Sequence, residues 1–414
     1  MTTIAGIEQA VIVAGGRGVR LKPLTDTKPK PMILFHGKPF LEYLIENLRD
    51  QGILRIVLLL GYLHEVIQEY FQDGKKWNVS ISYSVTDIDD ETGKRMKSAE
   101  HLFDQRFLFL YADNYWPLQL DKMVTQFNTA GTLGQLTVYR NADAYTRPNV
   151  IVDDSNLIIM YDKARTALNL KMVDIGFALF KKEIMNIIPS GENVSFEASI
   201  YPSLIKQYQL GAFITDHRYY TLTSPERLPR IEIFFKREPF IILDRDGVLN
   251  KKPPRAQYVT KWEDFVWLPG AKKAVKLLKE NGFKIIIITN QAGIARGNMS
   301  QADFIKINDR MKVDLSKAGG SIDGIYYCPH NWDEGCECRK PKPGMLFSAQ
   351  KDFNLDLSRV FFIGDDERDL QAGNAAGCKV LLVSNKTSLL TLIKEKILPA
   401  KNHDSQLKGS HMWH

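Results

Sequence analysis

A chain of 414 residues carrying a net charge of +7 has room for two or three domains. Its 44% hydrophobic and 25% charged content describe an ordinary folded protein and exclude a disordered or fibrous one. The positive excess favours anionic ligands in general but is too diffuse to argue for nucleic acid, and no apolar run is long enough to span a membrane.

The N-terminus lacks a basic stretch followed by an apolar one, so the cytoplasm is the expected compartment. Gln9-Ala10-Val11-Ile12-Val13-Ala14 reads as a first buried strand, and it runs into Gly15-Gly16-Arg17-Gly18-Val19-Arg20-Leu21-Lys22-Pro23-Leu24-Thr25. Glycines at 15, 16 and 18 let a ligand approach the backbone, whose amides can point at phosphate oxygens. Arg17 and Arg20 add guanidinium forks suited to phosphate. In Lys28-Pro29-Lys30-Pro31-Met32 the prolines hold a lysine in an extended segment. The spacing fits neither a dinucleotide fingerprint nor a Walker loop. Arg55–Tyr62 then reads as a strand, His64–Phe71 as a helix, and Phe107–Tyr111 as a strand leading to Asp113.

Gly15 through Met32, followed by Gly37-Lys38-Pro39-Phe40-Leu41-Glu42, resembles the sugar-1-phosphate nucleotidyltransferase family, whose pattern runs GGxGTRLxPLTxxxPKPMxxxxxxPxLE; the likeness continues over residues 9–230. The resemblance implies that Gly15, Gly16, Arg17, Gly18 and Arg20, with Thr92 and Gly93, bind a nucleoside triphosphate. It gives Arg20 and Lys30 catalytic roles on the reacting phosphates, assigns a Mg²⁺ to Asp113 and Asp174, and lets Lys163 grip the sugar phosphate. Positioning anions and neutralising their charge is most of what nucleotidyl transfer asks of a protein. Several positions depart from the pattern. Val19 replaces a threonine and Ala112 a glycine; Glu91-Thr92-Gly93-Lys94 puts a long cation near the base or sugar; Thr221 replaces the acid of D-I-G-T-P-E. Activity is expected, with the choice of nucleotide and sugar open.

Ile231–Pro239 reads as a short connector. Phe240-Ile241-Ile242-Leu243 then reads as a strand buried on both faces, delivering Asp244 and Asp246 at its carboxyl end, where open α/β sheets bind ligands. A helix over 270–282, a strand over 283–288, a loop from Thr289 to Gly297, a helix from Ser300 to Leu315 and strands at 324–327 and 360–364 follow. Strands alternating with helices imply a second parallel sheet, so the fold class is α/β in two domains. Both are expected to be Rossmann-like, the first with a mixed, mainly parallel sheet and the second without a large cap. Cys328, His330, Cys336 and Cys338 place three thiols and an imidazole in one short loop, which matches a structural zinc site. Cysteines two apart rarely form a disulfide, and free buried thiols are the remaining reading.

Asp244-x-Asp246-Gly247, Thr289, Arg339-Lys340-Pro341 and Gly364-Asp365-x-x-x-Asp369 resemble, in that order, the four segments of the haloacid-dehalogenase superfamily of phosphatases. The resemblance makes Asp244 the nucleophile and Asp246 the acid–base partner, with Thr289 and Lys340 holding the phosphoryl oxygens. It assigns Mg²⁺ to Asp244, Asp246 and Asp365 with the backbone carbonyl of Arg245, while Asp369 orients Lys340 and the metal site. The zinc loop before Arg339-Lys340-Pro341, together with Asp244-Arg245-Asp246-Gly247 and Thr289-Asn290-Gln291-Ala292-Gly293-Ile294-Ala295-Arg296-Gly297, is similar to the D,D-heptose 1,7-bisphosphate phosphatases; the histidinol-phosphate phosphatases share the loop. Asn290, Arg296 and Arg339 would meet the sugar phosphate.

The expected division is a nucleotidyltransferase domain over 1–235, a phosphatase domain over 236–395 and a polar tail over 396–414, with Gly409-Ser410-His411-Met412 resembling a cloning remnant. Together the resemblances imply two successive steps towards a nucleotide-activated heptose. The 7-phosphate of a heptose 1,7-bisphosphate is removed, and the heptose 1-phosphate is coupled to a nucleoside triphosphate. Mg²⁺ would serve both domains and Zn²⁺ the loop. The partners are then sugar phosphates and a nucleoside triphosphate rather than nucleic acid or membrane, and a homo-oligomer is compatible with all of this. Other readings are the same activities on a different sugar or polyol phosphate, a histidinol-phosphate or nucleic-acid 3′-phosphatase, and a first domain that senses nucleotide without catalysis.

Overall fold

The structure, a computed structural model, describes residues 6–400. The tail motif at 409–412 lies outside them. The chain divides into two compact units, with the boundary between Phe235 and Lys236.

The first unit is built on β1 (Gln9–Ala14), β2 (Arg55–Leu60), β3 (Ser80–Val85), β4 (Arg106–Tyr111), β5 (Gly134–Tyr139), β6 (Val173–Lys181) and β7 (Leu210–Thr215). They lie in the order β7-β5-β6-β4-β1-β2-β3, and only β6 runs antiparallel to its neighbours. Side chains alternate between the two faces of a strand. Accordingly Ile12, Leu58 and Leu110 enter one core, while Val11, Leu59 and Phe109 enter the other. Both faces are covered, which is why these strands read as unbroken apolar runs.

The expected connector at 231–239 is corrected here. Leu228–Phe235 is a helix, and Ile231, Phe234 and Phe235 are buried in the first unit's core. Leu228, Ile231 and Phe235 recur at helical spacing, and the Tyr43 and Tyr220 rings stack on Phe235 and Phe234 respectively.

The second unit carries β8 (Phe240–Leu243), β9 (Lys284–Asn290), β10 (Gly324–Cys328), β11 (Phe361–Gly364) and β12 (Lys379–Leu382), all parallel, in the order β10-β9-β8-β11-β12. The order reverses direction between β8 and β11, which is where such sheets open a ligand crevice at the carboxyl ends. Asp244 follows β8 and Asp365 follows β11. The helix Gln301–Lys317 starts at a capping box made by Ser300 and Asp303. Ile397 is fully buried in this unit's core, so packed chain extends past 395.

Candidate active sites

In the first unit the turn after β1 frames a cavity of about 500 Å³, lined by Gly15, Gly16, Arg17, Gly18, Arg20 and Lys30 on one side and by Thr92, Asp113 and Thr223 on the other. Gly18 has φ of 64°, the left-handed region that glycine adopts without strain. Lys30 Nζ stands 2.5 Å from Asp113 Oδ2, so cation and acid face the cavity together. Arg17 pairs with Asp89 at 2.8 Å at the rim.

One organiser of this cavity was not singled out from the sequence. Arg95 is 4% exposed and donates to the carbonyls of Leu60, Asp87, Ile88 and Asp90 and to Thr86 Oγ1. It ties the loop after β3 to the end of β2, and its guanidinium packs against the glycine turn, leaving no room for a side chain at Gly15 or Gly61. In the sequence it is one of three basic residues in Lys94-Arg95-Met96-Lys97, with nothing to mark it from the others. Lys94, expected near base or sugar, is instead turned onto Asp90 at 2.7 Å and does not line the cavity. Gly93 abuts the carbonyl of Val194, and its N–H donates there at 2.9 Å.

Asp174 does not line the cavity with Asp113. It accepts from Gly176 N at 2.9 Å and from Tyr161 Oη at 3.3 Å, and burial pushes its carboxyl up to about 7. The backbone beside Asp113 is Thr221–Leu222: Leu222 N donates to Asp113 O at 2.8 Å, and Thr221 Oγ1 is buried without a partner. Lys163 reaches Ser195 Oγ at 2.8 Å and Glu197 Oε2 at 3.3 Å. Glu197, which also accepts from Tyr111 Oη, is the acid that the sequence reading passed over.

In the second unit Asp244, Asp365 and Asp369 bring carboxylate oxygens within 4.8 Å of one another. Lys340, 3% exposed, bridges Asp244 Oδ2 at 2.9 Å and Asp369 Oδ1 at 2.6 Å. Burial works against the Lys340 charge, yet the two acids hold its pKa above the ordinary lysine value. Burial pushes Asp244 up to about 7 against the pull of Lys340. Asp365 Oδ1 is buried with no hydrogen-bond partner. An orphaned oxygen in a cluster of three acids is the donor set a hard divalent cation requires. Gly247, at φ 94°, lets the chain pass this cluster; a Cβ there would lie 2.2 Å from Asp365 Oδ2.

The expected Mg²⁺ ligands change in two places. Asp246 is absent from the acid cluster; it is held by Arg245 at 3.1 Å, Asn250 Nδ2 at 2.8 Å and Gln291 Nε2 at 2.8 Å. Burial opposes its charge, but these donors outweigh it and leave Asp246 below the usual carboxylate range. The Arg245 carbonyl accepts from the N–H groups of Val248, Leu249 and Asn250, so the tight turn consumes it.

Thr289 lies within β9, one residue before its end, rather than opening a loop, and its Oγ1 accepts from Gln291 at 2.9 Å. Gln291 therefore links Thr289 to Asp246, a role its sequence position did not reveal. Asn290 faces the Lys340 backbone. Arg296 donates to Asn331 Oδ1 at 2.9 Å and lies 4.0 Å from the Trp332 ring centroid, while Arg339 approaches the His330 carbonyl at 3.5 Å. Cys328, His330, Cys336 and Cys338 converge, with Sγ–Sγ separations of 3.6 and 3.5 Å and His330 Nδ1 3.2 Å from Cys338 Sγ. A tetrahedral zinc with Zn–S of about 2.3 Å separates its sulfurs by about 3.8 Å, so the four side chains fit that ion.

Among the described residues no helix is long and apolar enough to cross a membrane. The Nucleotidyl transferase family model matches residues 9–265, and an HAD-hydrolase-like model matches residues 337–404. The D-glycero-β-D-manno-heptose-1,7-bisphosphate 7-phosphatase of Yersinia pestis is 41% identical over 157 residues, 36% of this chain and 82% of that protein. The D-glycero-α-D-manno-heptose-1,7-bisphosphate 7-phosphatase of Campylobacter jejuni is 43% identical over 146 residues, 35% of this chain and 82% of that protein. Among solved structures, the D,D-heptose bisphosphate phosphatase of B. bronchiseptica, complexed with magnesium and phosphate, covers 38% of this chain and 87% of its own at 39% identity, with a TM-score of 0.35. HddC from Yersinia pseudotuberculosis, complexed with GMP-PN, covers 55% and 100% at 24% identity, with a TM-score of 0.47. The chain is thus a bifunctional enzyme that belongs to the nucleotidyl transferase family and joins to it a phosphatase of the haloacid-dehalogenase type.

Proposed function

We propose that this enzyme carries out two consecutive steps of nucleotide-activated heptose synthesis. Residues from 236 onward remove the 7-phosphate of D-glycero-D-manno-heptose 1,7-bisphosphate, and residues 1–235 then transfer a nucleotidyl group to the heptose 1-phosphate. The observation that carries the reading is the 41% identity over 82% of a heptose-bisphosphate 7-phosphatase, joined in one chain to a nucleotidyl transferase match.

In the phosphatase step an Asp244 oxygen attacks phosphorus, the bond to the sugar 7-oxygen breaks, and an aspartyl phosphate forms. Lys340 and Thr289 hold the phosphoryl oxygens. Asp246 gives its proton to the departing oxygen and then takes one from the water that releases inorganic phosphate. In the ligand-free site Asp246 stays ionised; the negative charge of an arriving phosphate raises its proton affinity. Asp244 and Asp365 would hold Mg²⁺, which supplies positive charge against the phosphate dianion, while Asp369, engaged by Lys340 and by the Asp365 and Asp366 amides, orients the site. Cys328, His330, Cys336 and Cys338 would hold a structural Zn²⁺ that stiffens the loop leading to Lys340. Arg296 and Arg339 on that side suit the sugar's remaining phosphate.

In the nucleotidyl-transfer step an oxygen of the sugar 1-phosphate attacks the α-phosphorus, and pyrophosphate leaves. Gly15, Gly16, Gly18 and Arg20 cradle the triphosphate, Lys30 stabilises charge on the reacting phosphates, and Asp113 would hold the Mg²⁺. Lys163 with Glu197 faces the sugar phosphate.

The test supplies purified enzyme with the heptose 1,7-bisphosphate, Mg²⁺ and each common nucleoside triphosphate in turn. Phosphate release, followed by pyrophosphate release with at least one nucleotide, is expected. No phosphate release from either anomer would reject the substrate assignment.

A further inference from the structure

Lys252 lies in the loop that follows the Asp244–Asn250 turn, and no step above uses it. Its ammonium stands 2.7 Å from Asp365 Oδ2 and 2.8 Å from Asp366 Oδ2. Asp366 does not depend on it: this acid also pairs with Arg368 at 2.5 Å and caps the helix Glu367–Ala376. Among the described residues Asp365 pairs with no other cation, so the charge that Lys252 alone supplies falls on Asp365. Lys340 already compensates the other two acids of the cluster. With all three carboxylates ionised, as they would be around a cation, and two ammonium groups facing them, the net charge is about −1; without Lys252 the figure is about −2, the better match for a divalent cation.

From this geometry we infer that Lys252 is a positioning residue that competes with the divalent cation for Asp365 and sets how weakly the phosphatase site holds its metal. The inference rests on the proposed Mg²⁺ site. A cation arriving at Asp365 meets an ammonium already seated on Oδ2, and the two positive charges repel. The Lys252 side chain is 41% exposed, so solvent screens part of this repulsion and allows the ammonium to swing away. A phosphate dianion in the crevice balances the cation and the displaced ammonium together. Metal and substrate are therefore expected to load cooperatively rather than metal first.

The experiment is a Mn²⁺ titration followed by electron paramagnetic resonance on the full chain. Every protein carries Asp113→Ala, so that the acids of the second unit are the ones read, and Asp365→Asn serves as the control that removes the site. Lys252→Gln is expected to bind Mn²⁺ about tenfold more tightly than the parent, and Lys252→Arg, which keeps the charge, to match it. Equal affinity in Lys252→Gln and the parent overturns the competition, leaving the metal site itself intact. Weaker binding in Lys252→Gln also overturns it, since Lys252 would then be organising Asp365 for the metal. Absence of any Asp365-dependent binding in the parent overturns both the competition and the site on which it rests.

Discussion

Asn290 and Lys340, fifty positions apart, exchange two hydrogen bonds: Asn290 Nδ2 donates to the Lys340 carbonyl at 3.0 Å, and Lys340 N donates to Asn290 Oδ1 at 3.1 Å. Both ends of the Asn290 amide are engaged by backbone, so the residue fixes the Lys340 segment against the end of β9. Asn290→Ala leaves a buried carbonyl and N–H to find new partners and lets Lys340 drift from Asp244. Steady-state assays should show phosphate release slowed by about ten- to a hundredfold, because misplacement by about 1 Å is enough for that. Pyrophosphate release by the same protein, supplied with heptose 1-phosphate directly, should be unchanged.

Lys340 itself compensates buried acids, and its loss has a different signature. Lys340→Met leaves Asp244 and Asp369 facing each other without a cation. Removing one member of a buried ionic network costs about 3 kcal/mol or more. Chemical denaturation in the presence of a chelator should show that loss in the transition of the second unit, and millimolar Mg²⁺ should recover part of it. A stability equal to that of the parent would mean that the acids are not charged together in the free enzyme.

Much of this site was legible because strand ends are legible. Four apolar residues followed by Asp244, and four more ending at Gly364-Asp365, announce buried parallel strands with acids at their carboxyl ends. Cys328, His330, Cys336 and Cys338 are legible as a set because their spacing is local. What escaped was pairing across the sequence. Nothing near Gln291 indicates that it joins Thr289 to Asp246, and nothing near Lys252 indicates Asp365, 113 positions away. Nothing in the sequence around Arg95 indicates that it is buried among carbonyls. The stretch 231–239 reads as a connector because Lys236, Arg237, Glu238 and Pro239 close it, yet the apolar residues before them recur at helical spacing and Leu228–Phe235 is a helix.

The Cys/His cluster gives a prediction that separates the two activities. With zinc bound, its four side chains would hold the loop between Cys328 and Lys340, and Cys336→Ser, assayed in excess Mg²⁺, should release it. Elemental analysis should find about one zinc per chain in the parent and a loss in the variant. Phosphate release should fall with the zinc, and pyrophosphate release from supplied heptose 1-phosphate should persist. Loss of both activities together would mean that the metal supports the whole chain rather than this loop.

The two leading glycines of the first cavity should fail in different ways. At Gly15 an added Cβ would lie 2.6 Å from the Arg95 guanidinium, and Arg95 cannot retreat because five acceptors pin it. At Gly16 an added Cβ would meet no protein atom within 4 Å, although the residue lines the cavity. Gly15→Ala should therefore lower the melting temperature of the first unit and pyrophosphate release together, with a stability loss of about 1–3 kcal/mol from overpacking. Gly16→Ala should leave the melting temperature unchanged and raise the KM for the nucleoside triphosphate by tenfold or more, since its methyl group projects where phosphate oxygens would sit. Differential scanning calorimetry with nucleotide titration of both variants distinguishes the cases. Gly16→Ala with the parent's KM would place the triphosphate elsewhere than against this turn.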